Sequence, residues 1–306
     1  MNTEQAKEII ASLPEGRTIF RYFKDRYAPA LLSYMVGEGM TPSQIKQTPL
    51  AKLLGRPVVK DLAARLGGGV LTPMALESTW PAQSESYLLT LGIWGNPLEG
   101  RRYKWYYQTS RPAANLVLQL NFSAKHNRPY DKLLNPEEYH PFEWTSHPIN
   151  KTGRRTLAWA RIDIDLDAGE ALIEEIQNDW IRRALRSWRY GRPKTNATRR
   201  ALARYIRDIL APHVQIWDEA ILAATIWFLR TELGVRRIFY HTFESGARLK
   251  RISGTKPPRS LYTRLPSRFC FHETCVPPGF LVDTLEAQRL KLRSKFIMPR
   301  FFVLLL

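Results

Sequence analysis

Residues Arg161–Trp180 read RIDIDLDAGEALIEEIQNDW, a period-2 segment, a turn and a second apolar and acidic segment. From Leu157 to Asp167 apolar and polar side chains alternate, which predicts a half-buried β-strand. One face of it would carry Ala158, Ala160, Ile162, Ile164 and Leu166, and the other Trp159, Arg161, Asp163, Asp165 and Asp167. Ala168-Gly169 is typical of a turn, so we predict a β-hairpin.

The two simplest registers of this hairpin both place carboxylates opposite each other. A two-residue loop pairs Asp163 with Glu174, and a three-residue loop pairs it with Glu175. Like charges across a ladder destabilise it, so we expect Arg161, a raised carboxyl pKa or a bound cation to neutralise them. The hairpin is therefore the predicted functional site.

The composition indicates a folded protein with a polyanionic partner. Its 306 residues are 44% hydrophobic and 24% charged, which suffices for one large or two modest cores. Lys and Arg number 46 against 28 Asp and Glu, a formal net charge of +18 that favours nucleic acid as the partner. We expect no membrane contact, since no segment approaches the roughly 20 apolar residues of a spanning helix.

Targeting signals and metal ligands are not indicated. Met1–Leu13 lacks the apolar segment of a secretory signal, so we expect a cytoplasmic protein. Cys270 and Cys275 are too few for a disulfide framework, and His272 adds too little for a zinc site, so buried thiols are expected. The sequence identifies no cofactor, metal or oligomeric state.

The first part of the chain predicts a small helical module. Thr41–Gln44 has the order of a capping box, and Pro57–Leu66 has helical spacing before a run of glycines. Gly69–Leu76 and Ser86–Trp94 predict two strands, so the order fits a winged-helix-like module or a helical packing module. The turn residues from Asn96 onward predict a boundary between residues 1–97 and residues 98–306.

Residues 98–306 predict an α+β domain with a mixed sheet. A long core helix is expected at Trp217–Leu233 and a buried strand at Val235–Phe243, which with the hairpin makes a βαβ crossover. The remaining elements predicted here are strands at Lys104–Gln108 and Asn115–Phe122, a helix leading into a strand at Pro258–Phe271, a helix at Leu281–Leu292 and a strand at Phe296–Leu306.

A basic helical insert, residues 181–215, follows the hairpin. Gly191 to Pro193 divides it into two helices, and the second has an apolar stripe that includes Leu202 and Tyr205. Exposed helices usually mix charges, so this acid-free run and its bias toward arginine favour phosphate recognition, with Trp188 and Tyr190 as stacking surfaces. From Ile181 to Arg207 there is no acid, and ten residues are basic: Arg182, Arg183, Arg186, Arg189, Arg192, Lys194, Arg199, Arg200, Arg204 and Arg207.

The segment Ala171–Trp180, ALIEEIQNDW, resembles the EEIQSDW segment of large phage and prophage polyvalent proteins, with Asn178 in place of Ser. The resemblance extends over Arg161–Phe271, through a basic insert, a helix ending at Gly234, a strand and the YTRLP element at Tyr262–Pro266. It implies a protein of phage, prophage or mobile-element type.

The same layout resembles the core of GNAT acyltransferases, in which a splayed strand pair and a Tyr-containing helix hold acyl-CoA. The resemblance implies a GNAT-like core, active or degenerate, with Tyr262 as the general acid. GNAT enzymes bind the pyrophosphate with main-chain N–H groups of a Gly-containing turn. Here Trp180–Arg183 occupies that junction without a glycine, so arginine side chains would replace the amides.

The hairpin carboxylates also resemble a Mg²⁺-dependent nuclease, which places Asp on one strand and Glu-x-Lys on the next. Asp163, Asp165, Glu175 and Gln177 occupy similar positions, but Gln177 stands where lysine is needed, and we expect no stabilisation by metal. The candidate catalytic residues are thus Asp163, Glu175, Gln177 and Tyr262. A non-catalytic DNA- or RNA-binding module is the third interpretation.

Overall fold

The computed structural model describes residues 1–12, 18–81, 83–95, 108–135, 142–151, 153–191, 196–252, 257–293 and 296–306. Within them the chain is an α+β fold around a mixed eight-stranded sheet of order β1-β2-β3-β4-β5-β6-β8-β7. The strands are β1 (Ile19–Tyr22), β2 (Glu85–Trp94), β3 (Asn115–Phe122), β4 (Thr156–Asp165), β5 (Glu170–Gln177), β6 (Arg237–His241), β7 (His272–Thr274) and β8 (Phe301–Leu305). β5 and β6 pair in parallel, and the other neighbouring strands are antiparallel.

Helices cover both faces of this sheet. One face of β4, with Ala160 and Ile162, packs in the main core with Ile221 of α9, whereas Leu172 of β5 packs on the opposite face with Leu285 of α12. The described helices are α1 (Thr3–Ser12), α2 (Tyr27–Met35), α3 (Pro42–Ile45), α4 (Pro57–Arg65), α5 (Pro73–Glu77), α6 (Ala124–Leu134), α7 (Trp180–Tyr190), α8 (Asn196–Tyr205), α9 (Ala211–Trp227), α10 (Phe243–Leu249), α11 (Arg264–Arg268) and α12 (Val282–Leu292).

The N-terminal helices follow the predicted capping signals, with one exception. At Thr41 both bonds of the capping box are present, which confirms that prediction. The strand predicted at Gly69–Leu76 is wrong, because α5 begins there. Thr72 Oγ1 accepts a hydrogen bond from Ala75 N at 3.2 Å, and Pro73 fits the first helical turn. β2 pairs with β1 and β3 instead, so these residues form no wing hairpin.

One sheet joins the two predicted parts of the chain. β2 belongs to residues 1–97 and pairs along its length with β3 of residues 98–306. The main core likewise contains Leu31 from the first part and Ile221 from the second. The predicted boundary, Asn96 and Pro97, lies outside the described residues, as do residues 104–107 of a predicted strand, so both stay predictions.

The predicted hairpin is confirmed as β4 and β5, but both predicted registers are wrong. The turn, Leu166–Gly169, has four residues, and Gly169 adopts a φ of +63° there. A register shift between Arg161 and Ile162 adds a further residue to β5. The four-residue turn places Asp163 opposite Leu172 and not opposite Glu174 or Glu175, and Leu166 is exposed in the turn instead of facing the core. The bulge acts beyond Ile162, where it places Glu175 opposite Arg161.

The predicted βαβ crossover is confirmed. β5 is followed by α7, α8 and α9 and then by β6, which pairs with it in parallel from Glu170/Arg237 to Ile173/Tyr240. The basic segment forms two helices as predicted. α9 begins earlier than predicted and continues through a π-helical turn at Phe228–Glu232, and Gly234 follows with a φ of +67°.

The C-terminal elements match the prediction with small differences. Pro258–Phe271 forms a 3₁₀ turn and α11, and the strand after it, β7, begins at His272. Cys270 is buried as predicted, whereas the same prediction for Cys275 is wrong because that thiol is exposed. None of the described helices combines the length and the apolar character that crossing a bilayer requires.

Candidate functional site

Asp163 is buried in β4 and is paired with cations. Arg111, just before β3, donates from Nε to Asp163 Oδ2 at 2.6 Å and from Nη2 to Oδ1 at 3.0 Å. The Met1 amino group lies 2.5 Å from the same Oδ1. Both carboxylate oxygens are thus occupied by charge-assisted hydrogen bonds.

Glu175 faces Arg161 across the β4–β5 ladder. Of the three predicted means of neutralisation, Arg161 is the one that pairs with Glu175. Arg161 Nη2 donates to Glu175 Oε2 at 2.5 Å and to Gln108 O at 2.9 Å, and only 1% of the arginine side chain is exposed. Its guanidinium also lies over the Trp94 ring, 5.1 Å from the centroid. Burial raises the pKa of Glu175, but the charges of Arg161 and Lys250 outweigh it, and the pKa is lowered.

Glu174 occupies the bulge of β5 and is completely buried. It accepts hydrogen bonds from Ser110 N and Ser110 Oγ, each at 2.9 Å, and lies 3.0 Å from His241 Nε2. Burial acts to raise the pKa of Glu174, yet the hydrogen bond and charge of His241, with the charge of Lys250 and the Ser110 amide, lower it to about 2.

This Ser-His-Glu cluster lacks the geometry of a nucleophilic triad. In a triad the two ring nitrogens contact different partners, the nucleophile and the acid. Here His241 Nε2 lies 2.9 Å from Ser110 Oγ and 3.0 Å from Glu174 Oε2, while His241 Nδ1 is buried and has no partner among the described residues. The cluster therefore satisfies buried polar groups and does not activate Ser110.

Lys250 lies beside the end of the β5–β6 pairing. Their pairing ends at Ile173 and Tyr240, and Lys250 Nζ donates to Glu174 O at 2.6 Å just beyond that point. The lysine is buried, and this burial lowers its pKa. The negative charge of Glu175 acts to raise the pKa but does not outweigh burial. Sequence reasoning did not find this residue, since Lys250 follows α10 in a stretch of ordinary basic character.

Tyr262, the predicted general acid, lies beside this lysine in the main core. Its ring centroid is 6.0 Å from Lys250 Nζ, and its hydroxyl is buried and has no hydrogen-bond partner within the described ranges. Burial raises the pKa of Tyr262 well above its ordinary value. A hydroxyl in this setting holds its proton firmly and is shielded from solvent.

Gln177 and Asp179 form a second polar group at the start of α7. Gln177 Nε2 donates to Asp179 Oδ1 at 2.9 Å, and His147 Nδ1 lies 2.6 Å from Asp179 Oδ2. Burial acts to raise the pKa of Asp179, but the hydrogen bond and charge of His147, the hydrogen bond of Gln177 and the charge of Arg182 together outweigh it, and the pKa is lowered. Gln177 therefore holds Asp179. Among the described residues, no hydrogen bond joins Gln177 to Asp163 or Glu175.

The last residues of the EEIQNDW segment fix the start of the basic helices. Asn178 Oδ1 accepts from Ile181 N at 2.8 Å, which caps α7. Trp180 is completely buried, and its Nε1 donates to Tyr205 Oη of α8 at 2.6 Å. Tyr205 Oη also lies 2.9 Å from His126 Nε2 of α6. This chain of buried contacts orients α7 and α8 against the sheet.

The predicted phosphate-binding arginines lie on the outer surface of α7 and α8. Arg204 and Arg207 each form an ion pair with Asp208, the residue that follows the acid-free run. Arg182 Nη2 lies 2.5 Å from Asp179 Oδ1. Arg183 is half-buried and donates to Glu143 O at 2.6 Å. Arg192 and Lys194 lie outside the described residues. Four exposed guanidinium groups form no ion pair among the described residues: Arg186, Arg189, Arg199 and Arg200.

The carboxylates of the predicted nuclease do not converge. Asp163 and Glu175 each bind an arginine, and Asp165 Oδ1 accepts from Ala168 N at 3.0 Å in the hairpin turn. Within the described ranges, no three side chains of His, Cys, Asp or Glu are grouped so that they could hold a metal ion.

Replacing Asp163 with asparagine should destabilise the protein. The change removes the carboxylate that binds Arg111, and hydrogen bonds to charged groups contribute about 1.5–3 kcal/mol. Mg²⁺ should not change the melting temperature of either protein, because both Asp163 oxygens are already bonded. Thermal denaturation with and without the ion tests this, with Asp167→Asn, at an exposed carboxylate of the hairpin turn, as the control. A Mg²⁺-dependent rise that Asp163→Asn abolishes would establish a metal site instead.

Comparison with known proteins adds no family assignment. No protein-family model matches the chain, and no curated protein or solved structure shows a significant similarity to it.

Proposed function

We propose that this protein is a cytoplasmic nucleic-acid-binding protein of phage or mobile-element type, and that it binds through α7 and α8. The observation that carries the proposal is a set of exposed arginines on these two helices that form no ion pair with any residue the structure describes: Arg186, Arg189, Arg199 and Arg200. Guanidinium groups bind phosphate oxygens bidentately, and a net charge of +18 strengthens attraction to a polyanion.

The core that holds these helices is, in this proposal, GNAT-like. Its support is the parallel pair β5 and β6, which separate beyond Ile173 and Tyr240 and are joined by the basic insert and α9. The bulge at Glu174 lies at the point of separation, and the Tyr262 element packs beside it. This arrangement agrees with the splayed strand, helix, strand and Tyr-containing element that the resemblance implies.

Acyl-CoA does not fit the residues at its expected position. The buried Lys250 donates to Glu174 O just beyond the end of the β5–β6 pairing, so its ammonium group occupies this position. At the start of α7, where the pyrophosphate would lie, the Asp179 carboxylate contributes negative charge and Asn178 already accepts from Ile181 N. We therefore propose a degenerate core that serves as a scaffold and derive no acyl-transfer step.

The Mg²⁺-dependent nuclease is less well supported than nucleic-acid binding. Its proposed ligands Asp163 and Glu175 are bound to Arg111 and Arg161, and Gln177 is bound to Asp179. A divalent ion would have to displace one of these ion pairs to coordinate one carboxylate, and both pairs to be held by Asp163 and Glu175 together. The exposed arginines require no such rearrangement.

Reversing four arginines of α8 and its extension to glutamate should abolish binding. The change is Arg199, Arg200, Arg204 and Arg207 to Glu, measured by fluorescence anisotropy with a labelled oligonucleotide. If wild type neutralises about four phosphates, its affinity should fall about 100-fold between about 50 and 200 mM salt, because counterions are released on binding. The reversed protein should show neither the affinity nor the salt dependence.

The control carries the same change of net charge elsewhere. Lys46, Lys60, Arg65 and Arg289 are exposed on or near α3, α4 and α12, and their replacement by glutamate should leave most of the binding intact. Equal losses in the two variants would show that net charge alone attracts the nucleic acid. Unchanged affinity of the α8 variant would show that α8 is not the binding surface.

A further inference from the structure

Trp144 forms an aromatic platform beside the start of α7. Its side chain is 48% exposed, and the Arg183 guanidinium lies 5.0 Å from its ring centroid. Arg183 also donates to Glu143 O at 2.6 Å, which holds the neighbouring backbone. His147, whose ring centroid is 5.9 Å from that of Trp144, is held in turn by Asp179. The indole is thus fixed in place although much of it faces solvent.

An exposed aromatic ring also lies beside the arginines at the other end of α7. Tyr190 is 73% exposed, and the Arg189 guanidinium lies 6.0 Å from its ring centroid. Helical spacing places Arg183, Arg186 and Tyr190 on one side of α7, about 10 Å along the helix from first to last, whereas Trp188 lies on another side. Aromatic and cationic groups therefore share one surface, which we call the α7 surface and define by Trp144, Tyr190, Arg182, Arg183, Arg186 and Arg189.

This combination distinguishes between forms of nucleic acid. Arginine alone binds the phosphates of a duplex and of a single strand alike. An indole gains stacking energy only from a base whose face is free, and a duplex covers the faces of its bases by internal stacking. Exposed apolar surface that is rimmed by polar residues also often marks an interaction site. Their presence on a basic surface favours a partner with exposed bases.

We propose that the α7 surface binds single-stranded nucleic acid, with a base stacked on Trp144 and the adjoining phosphates bound by arginines of α7. This inference rests on the proposed nucleic-acid binding and names its substrate class. Tyr190 supplies a further stacking position along the helix. His147, which is held by Asp179, lies beside the Trp144 ring.

The test compares single strands and duplexes of the same sequence, as DNA and as RNA, by fluorescence anisotropy at one salt concentration. Wild type should bind the single strands at least about 10-fold more tightly than the duplexes, since each stacked base contributes an affinity factor of this order or more. Trp144→Leu should lose about 10-fold in affinity for single strands and keep its duplex affinity. Trp144→Phe, which retains an aromatic face, should recover most of the loss.

Trp80 provides a matched control. It is 39% exposed, and the Arg26 guanidinium lies 4.4 Å from its ring centroid, but it follows α5 and is not part of the α7 surface. Trp80→Leu should leave both affinities unchanged. Equal single-strand and duplex affinities in wild type, or a Trp144→Leu protein that binds single strands like wild type, would overturn the inference and leave the proposed function standing. Failure of wild type to bind any of the nucleic acids would overturn both.

Discussion

Replacing Glu175 with leucine should lower the free energy of unfolding by about 3–5 kcal/mol, because it leaves the buried Arg161 charge without its carboxylate. The arginine is 1% exposed and therefore cannot recover solvation without local opening. The remaining contacts, with Gln108 O and the Trp94 ring, carry no formal negative charge. Urea denaturation of wild type and Glu175→Leu measures the loss.

The double variant separates the cost of an unpaired charge from the cost of lost packing. Arg161→Leu with Glu175→Leu removes both charges, and apolar replacements of buried ion pairs are often neutral or stabilising. We expect the double variant to be more stable than Glu175→Leu, which gives a coupling energy of opposite sign to the single effects. A double variant whose loss equals the sum of the two single losses would show that Arg161 and Glu175 act independently.

Local patterns were sufficient to predict most elements of this fold. The alternation in β4, the capping residues at Thr41 and the glycine at Gly234 each act within a few residues, and each predicted element is present. The parallel crossover followed from the order of strand, helices and strand between Glu170 and His241. The strand predicted at Gly69–Leu76 was wrong although Thr72-Pro73 carries the same helix-start signal as Thr41-Pro42.

The hairpin register could not be predicted, because it depends on two insertions that leave the alternation unchanged. The turn uses four residues, and the bulge at Glu174 adds another. The turn length places Leu172 opposite Asp163, and the bulge places Glu175 opposite Arg161, so an apolar neighbour and an ion pair stand where carboxylate pairs were predicted. Turn length and bulges are set by contacts beyond the two strands.

The partners of the buried carboxylates were missed because they come from distant parts of the chain. Arg111 is 52 residues from Asp163, and His241 is 67 residues from Glu174. One signal was present in the sequence: the apolar strand around Phe239 ends in a histidine, and a buried histidine requires a polar partner. The positions of Ser110 and Lys250 carried no comparable local pattern.

The EEIQNDW segment connects the fold to the proposed function. Glu174 and Glu175 satisfy buried cations and donors within the sheet, while Gln177, Asn178, Asp179 and Trp180 fix the start of α7. None of these side chains is presented to solvent as a reactive group. In this protein the segment acts by orienting the basic helices, which places the arginines of α7 and α8 on the outer surface.

Mild acid should destabilise the protein strongly through two buried histidines in the aromatic cluster behind these helices. His126 lies 2.9 Å from Tyr205 Oη, and burial lowers its pKa to about 4. His213 lies 2.8 Å from Tyr87 Oη, and burial together with the charge of His126 lowers its pKa to about 3. Below about pH 6.5 these histidines are protonated in the unfolded chain but stay neutral in the folded protein, so the free energy of unfolding decreases as the pH is lowered.

Each of these two histidines should lower the free energy of unfolding by about 1.4 kcal/mol per pH unit between pH 6.5 and its pKa in the folded protein. Glu174, whose pKa is lowered to about 2, should add to this loss only below about pH 4.5. Between pH 6.5 and 4.5 the two histidines together should remove about 5 kcal/mol, a large part of the stability of a typical domain.

Urea denaturation across this range gives the slope. His213→Gln, which retains a hydrogen-bond partner for Tyr87, should reduce that slope by about 1.4 kcal/mol per pH unit, and replacement of the exposed His272 by glutamine should leave it unchanged. Burial also lowers the pKa of His241, which therefore adds to the slope that remains. A free energy of unfolding that does not change with pH in wild type would mean that neither histidine is held neutral. The histidines would then be protonated in the folded protein, without unfolding of the packing around Trp180 and Tyr205.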